Sequence, residues 1–258
     1  MTRLRILILA PLLSLAACTH RAQTATVELI DMSLSISPQA EQTALDAVKG
    51  QIARLGRGDT LILIPITGNA ANDAGGRILR LRAPTVREAY DVDLRRFRDG
   101  AEKEIAAWGS SAHTEPDRTD ILGALDAARQ ELASLPSGSV RRLIVVSDFL
   151  EDDGQYDFVT DPSLADPPRA RRLASRLCAA HGFALQETSL CLGRLASLDY
   201  GSLVPERRAA IDAFWQTYLA HDGRAPEIEI DGVGILGGAD GDCFKGSGAD
   251  DRKRGSAP

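Results

Sequence analysis

Apolar positions along this chain follow two rhythms. Short, nearly continuous apolar runs alternate with longer stretches at helical spacing. Val27, Leu29 and Ile30 read as the end of a buried strand. Ser37 and Pro38 then open a helix, with Ser as N-cap and Pro at the first helical position. Ala40, Ala44, Leu45, Val48, Ile52 and Leu55 keep the helical period until Gly56 and Gly58 end it. Residues 60–66, T-L-I-L-I-P-I, form a strand apolar enough to be covered on both faces. Residues 77–82, R-I-L-R-L-R, read as an edge strand whose three Arg protect the edge.

The same alternation continues to the end of the domain. Residues 85–108 predict a helix of mixed charge, and 110–118 a polar loop. Residues 120–135 predict a helix with Ile121, Leu122, Leu125, Ala128 and Leu132 on one face. Residues 142–147, with L-I-V-V at the centre, read as a deeply buried strand. A basic helix (168–181), a strand (183–192), a helix (205–221) and a short strand (227–233) follow. Strand–helix order of this kind predicts an α/β fold with a doubly wound sheet. The domain is placed at 25–235, with a Gly- and Asp-rich disordered tail at 236–258. No internal repeat is present.

The first residues have a different character. Arg3 and Arg5 precede an apolar run at 6–15, and Leu15-Ala16-Ala17-Cys18 follows. This is the pattern of a signal peptide, too short for a transmembrane helix. L-A-A-C resembles the bacterial lipobox, which implies cleavage after residue 17, lipidation of Cys18 and a tether at 18–24. Thr19, where an Asp would retain the protein, implies sorting to the outer membrane of a Gram-negative envelope. The domain would then be lipid-anchored on the periplasmic face. Loss of Arg3 and Arg5 moves the net charge from -6 to about -8, a poor balance for binding nucleic acid. Cys178 and Cys191 flank a turn, and either a disulfide or two buried thiols would suit them. Cys243 has no evident partner.

Candidate chemistry gathers where strands end. Asp31, Ser33 and Ser35 lie between the first strand and its helix, at the strand edge where open α/β sheets bind ligands. Thr119 precedes the 120–135 helix, and Asp148 ends the strand L-I-V-V-S. Each alone suits a turn or a cap, Thr119 as an N-cap above all. Together they bring two carboxylates and three hydroxyls to one edge of the sheet. Hard oxygen donors of this kind suit Mg²⁺, Mn²⁺ or Ca²⁺.

The three segments D-M-S-L-S, T-D-I-L-G-A-L and V-V-S-D, in this order, resemble the von Willebrand factor type A domain and its metal-ion-dependent adhesion site. The resemblance spans roughly 25–222. It implies a mainly parallel sheet with helices on both faces and one antiparallel edge strand. It further implies that Ser33, Ser35 and Thr119 offer hydroxyl oxygens to a divalent cation, chiefly Mg²⁺. Asp31 and Asp148 would neutralise the ion, often through water. A carboxylate from an unknown protein partner would take the open position. Glu151, Asp152 and Asp153 depart from the pattern: three further carboxylates would repel an acidic partner, unless they are only a solvated loop.

The leading expectation is therefore a non-enzymatic, cation-dependent protein-binding module tethered to a membrane. One alternative is a structural envelope lipoprotein whose metal only staples loops. Another is a phosphoryl-transfer hydrolase using Asp31, but Ser33 stands where such enzymes place a second Asp. The chain has no P-loop, no G-x-S-x-G and no H-E-x-x-H, and its four His are scattered.

Overall fold

A computed structural model describes residues 22–70, 77–85, 90–112, 118–181, 185, 188–220 and 228–229. The expected signal peptide, Cys18, Cys243 and the tail at 236–258 lie outside the described residues.

Six strands form one sheet in the order β3-β2-β1-β4-β5-β6. They are β1 (Thr24–Asp31), β2 (Thr60–Ile66), β3 (Leu79–Arg82), β4 (Val140–Ser147), β5 (Thr188–Arg194) and β6 (Ile228–Glu229). All neighbouring pairs are parallel except β2–β3, so β3 is an antiparallel edge strand. Its alternating arginines, Arg80 and Arg82, are exposed, while Leu81 is buried. Arg80 reaches across to pair with Glu131 at 2.6 Å. Pro65 lies past the last β2–β3 pair, Leu63 with Leu79, where β2 has itself become an edge and tolerates a residue without an N–H.

The helices are α1 (Pro38–Ile52), α2 (Tyr90–Ala112), α3 (Ile121–Ser134), α4 (Pro167–His181), a short α5 (Leu198–Ser202) and α6 (Pro205–Tyr218). Alternate residues of the strands face opposite sides, and each side has its own core. Val27 and Leu29 pack with Ile121, Leu125, Leu173, Phe214 and Trp215 from α3, α4 and α6. Ile30 packs with Leu45, Val48, Ile105 and Trp108 from α1 and α2. This is a doubly wound sheet with helices on both faces.

One sequence expectation changes here, that for the cysteines. Cys178 is a free thiol packed against the α3–α4–α6 core, whereas Cys191 is buried in the α1–α2 core. The sheet separates them, so no Cys178–Cys191 disulfide forms, and Cys191 is disulfide-bonded elsewhere. Glu28 lies between two apolar residues in β1. Its side chain is fully buried on the α1 side, where Gln51 Nε2 donates to Oε2 at 2.8 Å. Burial raises its pKa to about 8, against the smaller opposing effect of the Gln51 bond.

Candidate metal centre

The end of β1 builds the first part of the site. Asp31 is its last residue and is fully buried. The Met32 N–H donates to the Ile66 carbonyl at 3.2 Å, which holds the departing chain beside the end of β2. The Ser33 N–H turns back to Asp31 Oδ1 at 3.0 Å, a local bond that Asp favours in turns. The Ile36 N–H closes the turn on the Ser33 carbonyl at 3.2 Å. Ser37 then caps α1 by accepting from the Ala40 N–H at 3.2 Å. The turn leaves Ser33 and Ser35 half-buried with their hydroxyl oxygens 2.9 Å apart, and sends Leu34 outward.

The end of β4 supplies the second part. Ile30 stands opposite Val146 in the β1–β4 ladder, so the next residues along, Asp31 and Ser147, are also neighbours. Ser147 Oγ donates to Asp31 Oδ2 at 2.5 Å and accepts from the Phe149 N–H at 2.9 Å. Asp148 is fully buried and accepts from Ser35 Oγ at 3.3 Å and from the Leu150 N–H at 3.0 Å. A hydrogen bond from Ser197, at the start of α5, also reaches its carboxylate. Asp31, Ser33, Ser35 and Asp148 are therefore joined into one hydrogen-bonded group.

Thr119 comes to the same edge by another route. Its N–H and carbonyl pair with Asp152 at 2.9 and 2.8 Å, and the next N–H, of Asp120, donates to the Thr67 carbonyl at 2.8 Å. Thr67 directly follows β2, so the loop before α3 is fastened at the C-terminal ends of the strands. Thr119 is not the N-cap of α3. Asp120 is, with Oδ1 accepting from the Gly123 N–H at 2.6 Å. A shorter side chain one residue earlier is not needed once the Asp has taken the cap.

The electrostatics of the group are those of two buried anions. Burial raises the pKa of Asp31, and the bonds from Ser147, Ser33 and the Asp148 N–H oppose the rise. Burial also raises that of Asp148, and the charge of Asp31 adds to it, against bonds from Ser197, Leu150 and Ser35. Two carboxylates that disfavour each other's ionisation, with partly exposed hydroxyls beside them, are a donor set that a hard divalent cation fits. Asp31, Ser33, Ser35, Thr119 and Asp148 are the residues that would hold it, and the N-termini of α1 and α3 add positive dipole ends nearby.

Several residues around this group carry no distinguishing local signal in the sequence. Ser147 stands in V-V-S-D as an ordinary strand residue, and only the β1–β4 register reveals its bond to Asp31. Ser197 carries a visible N-cap signature, but nothing local places α5 beside Asp148. Phe149 adopts a left-handed backbone, φ 65°, which a bulky residue takes only when its surroundings hold it. They do so here: Trp215 Nε1 donates to its carbonyl at 2.9 Å, and the Arg194 guanidinium lies 5.6 Å from its ring centre. Arg194 is itself buried and fixed by Asp212 at 2.5 Å and by the Tyr200 hydroxyl at 2.7 Å. Glu151 is not part of a solvated loop. It is 1% exposed, and its Oε2 accepts the first N–H groups of α3, from Ile121 at 3.0 Å and Leu122 at 3.1 Å. Burial first, then the charges of Asp120 and Asp153, push its pKa well above the carboxylate range.

No family model matches the chain, and no curated protein matches it. Among solved structures it is similar to manganese-loaded TRAP of Plasmodium vivax, with 14% identity over 74% of this chain and a TM-score of 0.39. It spans 62% of that protein's length. It is similar to an aerotolerance-related membrane protein of Bacteroides fragilis with multiple mutations to serines: 11% identity, TM-score 0.41, 81% of this chain and 92% of that one. A von Willebrand factor type A protein from Catenulispora acidiphila is similar at 16% identity and TM-score 0.38, over 75% of this chain and 43% of that one.

Proposed function

We propose that this chain is a divalent-cation-dependent protein-binding module. Ser33, Ser35 and Thr119 would bind the ion through their hydroxyl oxygens. Asp31 and Asp148 would balance its charge from beneath. The observation that carries this reading is the bonded group Asp31–Ser33–Ser35–Asp148 with both carboxylates fully buried. Buried carboxylates at this density call for a positive charge, and among the described residues no Lys or Arg enters those bonds. Neutral hydroxyls leave Mg²⁺ electron-poor, so a carboxylate from a partner is the natural ligand for a remaining position. The ion supplies the bridging charge; the chain's residues orient it and define one face on which the partner docks.

Lipidation of Cys18 would hold the module at a membrane, on the periplasmic side of the outer membrane if the cell is Gram-negative. Among the described residues no helix is long and apolar enough to cross a membrane.

Calorimetric titration with Mg²⁺ and Mn²⁺ tests the reading. Wild type should bind one ion at this site, and Asp31→Ala and Ser33→Ala should each lose at least tenfold in affinity. Envelope proteins retained on the immobilised chain in Mg²⁺ should be released by chelator, and should not be retained by Asp31→Ala. Equal Mg²⁺ and Mn²⁺ affinity in wild type and in both variants would refute it.

A further inference from the structure

A second group of carboxylates lies behind Thr119, away from the Ser33–Ser35 turn in sequence and separate in its hydrogen bonding. Asp120, Glu151 and Asp153 each offer a carboxylate oxygen, and these oxygens lie within 4.8 Å of one another. Each carboxylate is anchored through one oxygen to backbone N–H groups. Asp120 Oδ1 accepts from Gly123 at 2.6 Å. Glu151 Oε2 accepts from Ile121 and Leu122. Asp153 Oδ1 accepts from Gln155 and Tyr156, both at 2.7 Å. The antiparallel pairing of Thr119 with Asp152 fixes the two supporting loops against each other.

Capping α3 explains one oxygen of Glu151. It does not explain the other: Oε1 is buried and has no hydrogen-bond partner among the described residues. Native proteins rarely leave such an atom unpaired without a ligand or a function. The Glu151 carboxylate groups with those of Asp120 and Asp153, and a cation held between the three would pair this oxygen. Oxygens 2.3–2.6 Å from Ca²⁺ lie up to about 5 Å apart across the ion, and the observed span falls inside that limit.

We propose that Asp120, Glu151 and Asp153 form a second divalent-cation site, suited to Ca²⁺, distinct from the Asp31–Asp148 group. The site ties the 148–157 loop to the start of α3. Because Thr119 adjoins Asp120, and Asp148 precedes Glu151 by one helical turn's worth of chain, an ion here also steadies two members of the neighbouring group.

The test uses the full-length chain and Ca²⁺ as the probe, followed by calorimetry, with Tb³⁺ luminescence as a second readout because Tyr156 adjoins Asp153 and can sensitise it. Asp153→Asn keeps the turn, since the Asn oxygen still accepts from residues 155 and 156, but removes one charge. Glu151→Gln likewise keeps an acceptor for the α3 N-terminus. Each should weaken Ca²⁺ binding at one site at least tenfold and cut Tb³⁺ luminescence. Asp31→Ala should leave this site intact. Unfolding curves of the three variants establish that they are folded. Ca²⁺ and Tb³⁺ binding that is lost in Asp31→Ala and unchanged in Asp153→Asn and Glu151→Gln would overturn the proposal while leaving the Asp31–Asp148 site standing. Absence of Ca²⁺ and Tb³⁺ binding in wild type would overturn it as well.

Discussion

Ser147 Oγ donates to Asp31 Oδ2 at 2.5 Å across the β1–β4 ladder, one residue before Asp148. The same oxygen accepts from the Phe149 N–H. One hydroxyl thus aligns a buried carboxylate of β1 with the left-handed turn that follows Asp148. It links the two halves of the candidate centre through the sheet itself, independently of any ion.

Ser147→Ala removes a donor from a fully buried carboxylate and an acceptor from a buried N–H. It should destabilise the fold by about 1–3 kcal/mol, the usual cost of leaving a buried group unsatisfied. Urea unfolding in chelator checks this. A loss within experimental error of zero would mean that the bond contributes nothing net.

Cation binding should be native-specific, because residues from three loops cannot meet in the unfolded chain. An ion at a hundredfold excess over its Kd stabilises by about 2.7 kcal/mol. For a domain of this size that is a rise of several degrees in melting temperature. Asp31→Ala should abolish most of the rise with Mg²⁺. It also relieves the repulsion between Asp31 and Asp148, so in chelator the variant should be no less stable than wild type. Calorimetric scans of both proteins, with and without Mg²⁺, measure this directly.

The affinity for Mn²⁺ should fall as pH falls. Burial raises the pKa values of both Asp31 and Asp148, so protons compete with the ion below neutral pH. Titrations at pH 8 and pH 5.5 should differ by tenfold or more. A pH-independent affinity would show that neither carboxylate titrates with binding.

Glu28 gives the fold a pH dependence of its own. Its pKa is 4.5 in the unfolded chain and about 8 in the folded one. Below pH 4.5 both states hold the proton and the group costs nothing further. Between pH 4.5 and 8 the folded state binds more protons than the unfolded state, so stability falls as pH rises. Above pH 8 the loss is complete, on the order of 5 kcal/mol. Glu28→Gln should flatten stability between pH 5 and 8 and leave the variant more stable than wild type at pH 8. Chemical denaturation across that range decides it.

Cys18→Ser tests the anchor. The wild-type chain should float with membranes, and the variant should accumulate uncleaved or in the soluble fraction. Identical processing and flotation of the two would exclude lipidation at this residue.

Short-range signals in the sequence mark the elements and their ends. The apolar run 60–66 marks β2 residue for residue, because a strand covered on both faces leaves no polar position to blur its ends. Ser37-Pro38 marks the start of α1, because cap chemistry acts over three residues. The strand–helix order, read from periodicity, carries the doubly wound architecture with it. Asp31, Ser33, Ser35, Thr119 and Asp148 were legible as candidates, since each stands at a strand end or helix start.

What each of these residues meets follows from the packing of the whole domain. The β1–β4 register pairs Ser147 with Asp31. The sheet puts Cys178 and Cys191 on opposite faces. Packing against α1 buries Glu28, and the return of the 148–157 loop along residue 119 buries Glu151 beneath α3. The physical reason is common to all four. Burial and pairing of a polar group depend on residues distant in sequence, and a carboxylate has the same local signature whether it faces water, a helix N-terminus or a metal ion.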